Sequence, residues 1–265
     1  MYHSIADEAA PRFERFVVPP HRFAAQLERL SERGYVGLTV SQLVGRARAG
    51  SPLPPRVVAL TFDDGYADFS TTALPLLHRY GFPATLYVAT AYVGGSSRWL
   101  VRERETQRPM LSWEQILAAQ NAGIEIGAHS HDHAALDVLA PGQLLYEVRH
   151  CRALLEARLG GPVTSFAYPF GYASRMVKRA VAEAGYTSAC AVGYRLSEPG
   201  GDPLNLQRCI VTRETQGAAL DRLLELGQPR RAAAVALSRP AWRAVRRIAA
   251  YRHGSRSAVG AVAYE

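Results

Sequence analysis

The chain has 265 residues, of which 48% are apolar and 20% are charged, and its formal net charge is +8. This length and apolar content suffice for one α/β domain with a sizeable core, and no stretch approaches the roughly 18 apolar residues of a membrane span. The three cysteines are widely spaced and form no C-x-x-C pair, so we expect buried thiols rather than a disulfide framework.

The positive charge is concentrated at the C-terminal end of the chain. Residues 230–265 contain eight arginines and one acid and contribute +7, which leaves the rest of the chain at +1. A nearly neutral body argues against nucleic-acid binding by the main domain. Trp242, Val245 and Ala249 share one helical face, which predicts a partly helical segment that contacts an anionic membrane surface or partner; a solvated tail is the alternative. We therefore predict a catalytic domain at residues 1–229 and a separate Arg-rich tail.

The first residues lack the basic segment and apolar run of a secretory signal peptide. As written, the sequence predicts a cytoplasmic protein. If the start of the sequence is truncated, an extracytoplasmic location is the alternative expectation.

Strands and helices are predicted to alternate along the chain after a first strand that ends near Ile5. Capping residues and amphipathic patterns predict helices at residues 21–33, 69–80, 112–120, 141–159 and 174–184. Apolar and β-branched runs predict strands at residues 57–62, 84–89, from 124 onward, 163–168, 187–192 and 209–211. Such alternation is typical of a parallel sheet, in which functional sites collect at the C-terminal ends of the strands.

The strand at residues 57–62 is followed directly by Asp63, Asp64 and Gly65. Two adjacent carboxylates beside a buried strand are costly to desolvate and repel each other, so they need a cation or a shared proton. Because neighbouring side chains at a strand end point in different directions, one carboxylate can bind a metal while the other faces the bound water. An Asx turn that only closes the strand is the alternative interpretation.

Three histidines, His129, His131 and His133, follow the apolar strand that contains Ile124 and Ile126. Two imidazoles and one carboxylate are a common ligand set for divalent metals, and they leave coordination positions open. Three histidines within five residues at a strand end, in a chain that also has the aspartate pair, indicate a metal site rather than structural histidines.

The order of these motifs resembles the polysaccharide deacetylase family, also called the NodB-homology or carbohydrate esterase 4 family. The residues that carry the resemblance are TFDDG at 61–65, His-Ser-x-x-His at 129–133 and SFAYPFGY at 165–172. The similarity extends over about residues 1–215 and implies the NodB-homology fold, a distorted (β/α)7-type barrel.

The same resemblance implies a metal-dependent hydrolase that removes the N-acetyl group of an acetamido sugar, of N-acetylglucosamine type, in a polysaccharide and releases acetate. Asp64, His129 and His133 would bind the divalent metal, for which zinc is expected and cobalt or nickel are alternatives. Asp63 would act as the general base, and the backbone N–H of Phe170 would donate to the oxyanion.

The third motif departs from the commonest family pattern, Arg-x-Pro-Tyr, because Ala167 replaces the arginine and Phe170 the tyrosine. In similar enzymes that arginine pairs with the catalytic aspartate, so Arg208 is the candidate replacement; a surface salt bridge is the alternative. The late Leu-x-His motif is also missing, since residues 210–229 contain no histidine. His3, in an N-terminal Tyr-His that resembles a family branch with a permuted motif order, is therefore the candidate general acid; a solvated terminus is the alternative.

Residues 91–112 interrupt the alternation and predict a surface insertion near the mouth of the site, in which Trp99 either stacks on a sugar ring or anchors a buried loop. An acetylated glycan is the expected partner. Two other functions stay open. The missing signal peptide favours an intracellular deacetylase of a small or lipid-linked acetylated sugar, and the missing arginine and late histidine favour a non-catalytic glycan-binding protein.

Overall fold

The computed structural model of the protein describes residues 1–198, 200–234 and 245. Its α-helices are α1 (Pro20–Glu32), α2 (Val40–Arg48), α3 (Leu74–Tyr80), α4 (Trp113–Asn121), α5 (Pro141–Leu159), α6 (Arg175–Glu183) and α7 (Ala218–Leu226). A π-helical turn, Phe69–Ala73, leads into α3. The strands are β1 (Val36–Gly37), β2 (Val57–Val58), β3 (Leu60–Phe62), β4 (Ala84–Val88), β5 (Glu125–Ala128), β6 (Ser165–Ala167), β7 (Ser188–Val192) and β8 (Leu206–Arg208).

Strands β3 to β8 form one parallel sheet and lie in it in chain order. The N-terminal residues connect the two edges of this curled sheet. The N–H of Tyr2 donates to the carbonyl of Thr61 in β3 (2.8 Å), and the N–H of Val211, just after β8, donates to the carbonyl of Met1 (2.9 Å). The structure therefore confirms the predicted distorted barrel, in which the C-terminal ends of all six strands face one rim.

The main core lies between the sheet and the helices that cover it. Strands β4 and β7 are buried at all five positions, as expected for parallel strands that are covered on both faces. A second, smaller core joins the N-terminal segment to residues 91–112 near the rim, and it includes Phe13, Phe16, Tyr66, Trp99 and Met110. This second core forms one wall of the pocket described below.

Local signals explain where the helices begin and end. Helix α5 has Pro141 at its first position and ends at Gly160, whose φ of 68° is in the left-handed region, so both predicted ends are correct. Helix α4 begins with a capping box in which Ser112 and Gln115 each bond to the backbone of the other.

Two strand predictions are wrong in their bounds. Residues 57–62 are not one strand, because β2 pairs with β1 in a separate two-stranded sheet and only β3 joins the main sheet. The last strand is β8, not residues 209–211. Those residues instead form hydrogen bonds with the N-terminal segment. Strand β8 was not predicted because it contains two polar residues, Gln207 and Arg208, and so has no apolar run.

The Arg-rich tail predicted at residues 230–265 lies mostly outside the described residues, which include only 230–234 and Val245 of it. Residues 229–234 are helical. Among the helices that the structure describes, none combines the length and the apolar character needed to cross a bilayer.

Candidate active site

The turn after β3 directs its two carboxylates to different partners. Asp63 and Asp64 are both buried, with exposed fractions of 3% and 4%. Asp64 has a φ of 77°, in the left-handed region that residues with a side chain rarely adopt, and Gly65 follows with a φ of 89°. As a result, Asp63 faces β8 while Asp64 faces the histidine loop that follows β5.

Asp63 forms a buried, bidentate ion pair with Arg208 of β8. The guanidinium Nη atoms lie 2.6 Å and 2.8 Å from the two carboxylate oxygens, and Arg208 also donates to the hydroxyl of Thr61 (3.1 Å). Burial by itself would raise the pKa of Asp63, but the charge of Arg208 outweighs it and holds that pKa below its usual value. The structure thus places Arg208 beside the predicted base, in a buried pair rather than a surface salt bridge.

Asp64, His129 and His133 converge on one point. Oδ1 of Asp64 lies 3.3 Å from Nε2 of His129 and 3.1 Å from Nε2 of His133, and all three residues are buried. Ligands at zinc-binding distance in a tetrahedral arrangement are about 3.4 Å apart, so these separations fit a shared divalent ion. Within the part of the chain that the structure describes, no group donates a hydrogen bond to the buried Oδ1 of Asp64, which leaves its lone pairs free for a cation.

Neighbouring groups fix which atoms of these ligands face the shared point. Nδ1 of His129 lies 2.8 Å from the carbonyl oxygen of Ala167, so Nδ1 carries the proton and Nε2 keeps its lone pair. The hydroxyl of Tyr66 donates to Oδ2 of Asp64 (2.7 Å), which leaves Oδ1 as the ligand atom. Burial and the nearby carboxylate raise the pKa of Tyr66 well above its usual value, so Tyr66 remains a donor.

His131, which lies between the two histidines of this group, faces elsewhere. Its Nδ1 lies 2.9 Å from the hydroxyl of Thr90, and its ring packs edge-to-face on His150 with centroids 4.6 Å apart. His131 is therefore not part of the group formed by Asp64, His129 and His133.

His3 lines the same pocket as the aspartates and the two histidines of the group. Its ring contacts Phe16 edge-to-face at 4.8 Å, and its buried Nδ1 has no hydrogen-bond partner among residues 1–198 and 200–234. Burial lowers the pKa of His3, although Asp64 and Asp63 counteract that effect. The N-terminal histidine therefore lies at the pocket and not on a solvated terminus.

Phe170 also lines the pocket, in a tight turn after β6. Its φ is 59°, and the next residue, Gly171, has a φ of 72°. A Cβ on Gly171 would lie 2.5 Å from the Cβ of Val192, so only glycine fits there. The ring of Phe170 packs on His133 with centroids 4.8 Å apart.

Trp99 is a buried loop anchor, with an exposed fraction of 3%, and it packs on Tyr92 (4.4 Å between centroids) and on His133 (5.1 Å). Residues 91–112 therefore contribute a wall of the site through Trp99 and Leu100, while other residues of the segment, such as Val101, remain at the surface. Sequence reasoning missed the contact from Tyr66 to the ligand carboxylate, although the position of Tyr66 two residues after Asp64 was an available signal. It also missed Phe13 in the pocket wall, for which no local signal exists.

Comparison with known proteins decides the family. The family model described as polysaccharide deacetylase matches residues 50–189, just over half of the chain. The chain belongs to the polysaccharide deacetylase family. The YxkH protein of Bacillus subtilis (strain 168) is 28% identical to this chain over 230 residues, which cover 85% of this chain and 75% of YxkH. The poly-beta-1,6-N-acetyl-D-glucosamine N-deacetylase of Escherichia coli (strain K12) is 31% identical over 150 residues, which cover 54% of this chain but 22% of that protein.

Solved structures show the same fold. The Streptococcus pyogenes deacetylase PplD in complex with acetate has a TM-score of 0.73 at 22% identity, covering 85% of this chain and 96% of PplD. IcaB from Ammonifex degensii has a TM-score of 0.70 at 23% identity, covering 84% of this chain and 94% of IcaB. Both the predicted family and the predicted fold class are thereby confirmed.

Proposed function

We propose that this deacetylase hydrolyses the N-acetyl group of an N-acetylglucosamine-type sugar in a polysaccharide and releases acetate with the help of a divalent metal. The observation that supports this most strongly is the convergence of Asp64, His129 and His133 beside a second ionised carboxylate, Asp63. The name of the Escherichia coli relative favours a polymer of N-acetylglucosamine as substrate.

Asp64, His129 and His133 would hold the metal, for which zinc is expected and cobalt or nickel are alternatives, since all three ions accept this donor set. When bound, such an ion polarises a carbonyl group and lowers the pKa of water to about 7. The rest of the chemistry comes from side chains and backbone groups of the pocket.

Asp63 accepts the proton of the attacking water. The bidentate contact with Arg208 keeps this carboxylate ionised and fixes its orientation. A carboxylate is a weak base, but it suffices once the pKa of the water has been lowered.

Attack on the acetyl carbonyl produces an oxyanion, and the departing amine needs a proton. The N–H of Phe170 is the proposed donor to the oxyanion, and one such preorganised donor typically lowers a barrier by about 3 kcal/mol. His3, on the same pocket, is the proposed acid that protonates the amine, and return of the proton from Asp63 is the alternative route.

The test measures acetate release from polymeric, monomeric and lipid-linked N-acetylglucosamine side by side, together with zinc content. We expect release from the polymer, no release by Asp63→Asn with zinc retained, and loss of both release and zinc in His133→Ala. Equal zinc loss in the two variants would contradict this division of roles. If acetate were released faster from the monomer or the lipid-linked sugar, that sugar would replace the polymer as the proposed substrate.

A non-catalytic glycan-binding protein is the remaining alternative. One argument for it is the arginine missing from the third motif, and the Arg208–Asp63 pair weakens that argument. Stoichiometric zinc without acetate release from any of the three substrates would favour the alternative.

A further inference from the structure

Helix α5 carries a carboxylate on its buried face. Glu147 has an exposed fraction of 5% and belongs to the stripe of residues that this helix turns inward: Leu144, Glu147, Val148, Cys151 and Leu155. Acidic side chains are almost never fully buried without a partner, so this carboxylate needs a reason for its position.

The partners of Glu147 are two backbone groups of the histidine loop. Its Oε2 accepts hydrogen bonds from the N–H groups of His131 and Asp132, each at 2.9 Å. Both donors lie between His129 and His133, the two imidazoles of the metal group. The Glu147 carboxylate therefore holds the middle of the loop through two hydrogen bonds, and it does not itself contact the metal group.

The loop adopts a conformation that needs such support. Ser130 and His133 have φ values of 61° and 52°, in the left-handed region that is unfavourable for residues with a Cβ. Conformations of this kind persist only where the surroundings enforce them. If the loop relaxed, the ring of His133 would turn away from Asp64.

The opposite side of the loop is held by residues 90–92. The N–H of Ala91 donates to the carbonyl of His131 (3.0 Å), and the hydroxyl of Tyr92 donates to the carbonyl of Asp132 (3.1 Å). Residues 90–92 thus bond the carbonyl groups of His131 and Asp132 on one side of the loop. Glu147 accepts hydrogen bonds from the N–H groups of the same two residues on the other side.

We propose that Glu147 is a positioning residue of the metal centre, which holds the histidine loop so that both imidazoles face the Asp64 carboxylate. Ligand-orienting partners outside the coordination sphere typically change metal affinity about 10–100-fold when they are removed. The inference rests on the proposed metal dependence, but metal affinity can be measured without any turnover.

The experiment measures the zinc affinity of the purified full-length chain by competition with a chromophoric chelator. We expect Glu147→Ala to weaken zinc binding about 10–100-fold. Glu147→Gln retains an acceptor oxygen for the two N–H groups and should recover most of the affinity. The control is Glu156→Ala on the same helix, because Glu156 accepts a backbone hydrogen bond from Val163 (3.0 Å), far from the loop. This control should bind zinc like the wild type.

Thermal unfolding of the metal-free variants separates loss of affinity from loss of fold. If Glu147→Ala does not fold, Glu147→Asp takes its place, because its shorter side chain withdraws the carboxylate from the loop. If a folded Glu147→Ala or Glu147→Asp variant bound zinc with wild-type affinity, the positioning role would be overturned and the proposed function would not. Failure of the wild-type chain to bind zinc would overturn the proposed function and the positioning role with it.

Discussion

Replacing Arg208 by methionine tests the buried ion pair on which the proposed base depends. Arg208 is 7% exposed, and its guanidinium makes both of its short contacts, at 2.6 Å and 2.8 Å, with Asp63. Methionine fills most of the same volume but carries no charge. The substitution therefore leaves the Asp63 carboxylate buried without its cation.

Removing one partner of a buried ion pair costs about 3–5 kcal/mol, because the remaining charge is uncompensated. We expect the free energy of unfolding to fall by that amount in Arg208→Met. A second substitution, Asp63→Asn, removes the stranded charge, so the double variant should recover part of the loss. Arg208→Lys keeps the charge without the bidentate geometry, and its stability should lie between those of the wild type and Arg208→Met.

Urea denaturation of the metal-free proteins at pH 7 measures these differences, and acetate release by the zinc-loaded proteins at the same pH, without urea, measures turnover. Arg208→Met should lose nearly all turnover, since Arg208 keeps Asp63 ionised and oriented. A loss of stability below about 1 kcal/mol would be the value of an exposed salt bridge and would refute the reasoning. A double variant no more stable than Arg208→Met would also refute it.

Three further predictions concern the pocket. Tyr66→Phe removes the hydrogen bond to the ligand carboxylate, so zinc affinity in chelator competition should fall about tenfold, and an unchanged affinity would count against the orienting role. Gly171→Ala places a Cβ 2.5 Å from a valine of β7 and should lower the free energy of unfolding, measured by urea denaturation, by about 1–3 kcal/mol. The control Gly142→Ala, with open space around it, should not lower it, and equal results for the two variants would contradict this expectation. His3→Ala should lose activity at the pH values where His3 is protonated in the wild type, and it should lose the alkaline decline that deprotonation of His3 produces; a near-wild-type rate and an unchanged pH–rate profile would remove His3 as the acid.

The sequence alone predicted those features of the fold and the site that depend on residues close together in the chain. The ends of α5 follow from a proline at its first position and a glycine after its last turn. The aspartate pair and the histidine loop were recognisable because each follows an apolar strand directly. In a parallel sheet, such positions meet at one rim, so proximity in space followed from topology alone.

The support of the site was harder to predict, because its members come from distant parts of the chain. Glu147 lies between residues of the apolar stripe of α5, whereas two other apolar residues of the helix, Leu145 and Leu154, are only half-buried, so the inward face cannot be read from the apolar residues alone. An acid at a core position of an amphipathic helix was the signal that could have identified Glu147. The pairing of Arg208 with Asp63 joins residues 145 positions apart, and the family resemblance, not a local pattern, suggested it.

The measurement that tests the central claim most directly is the zinc K-edge X-ray absorption spectrum of the protein loaded with one zinc ion per chain. If Asp64, His129 and His133 hold the ion, the spectrum will show scattering from two imidazole rings and otherwise only oxygen ligands. Scattering from sulfur, or from fewer than two imidazoles, would place the ion elsewhere and contradict the account.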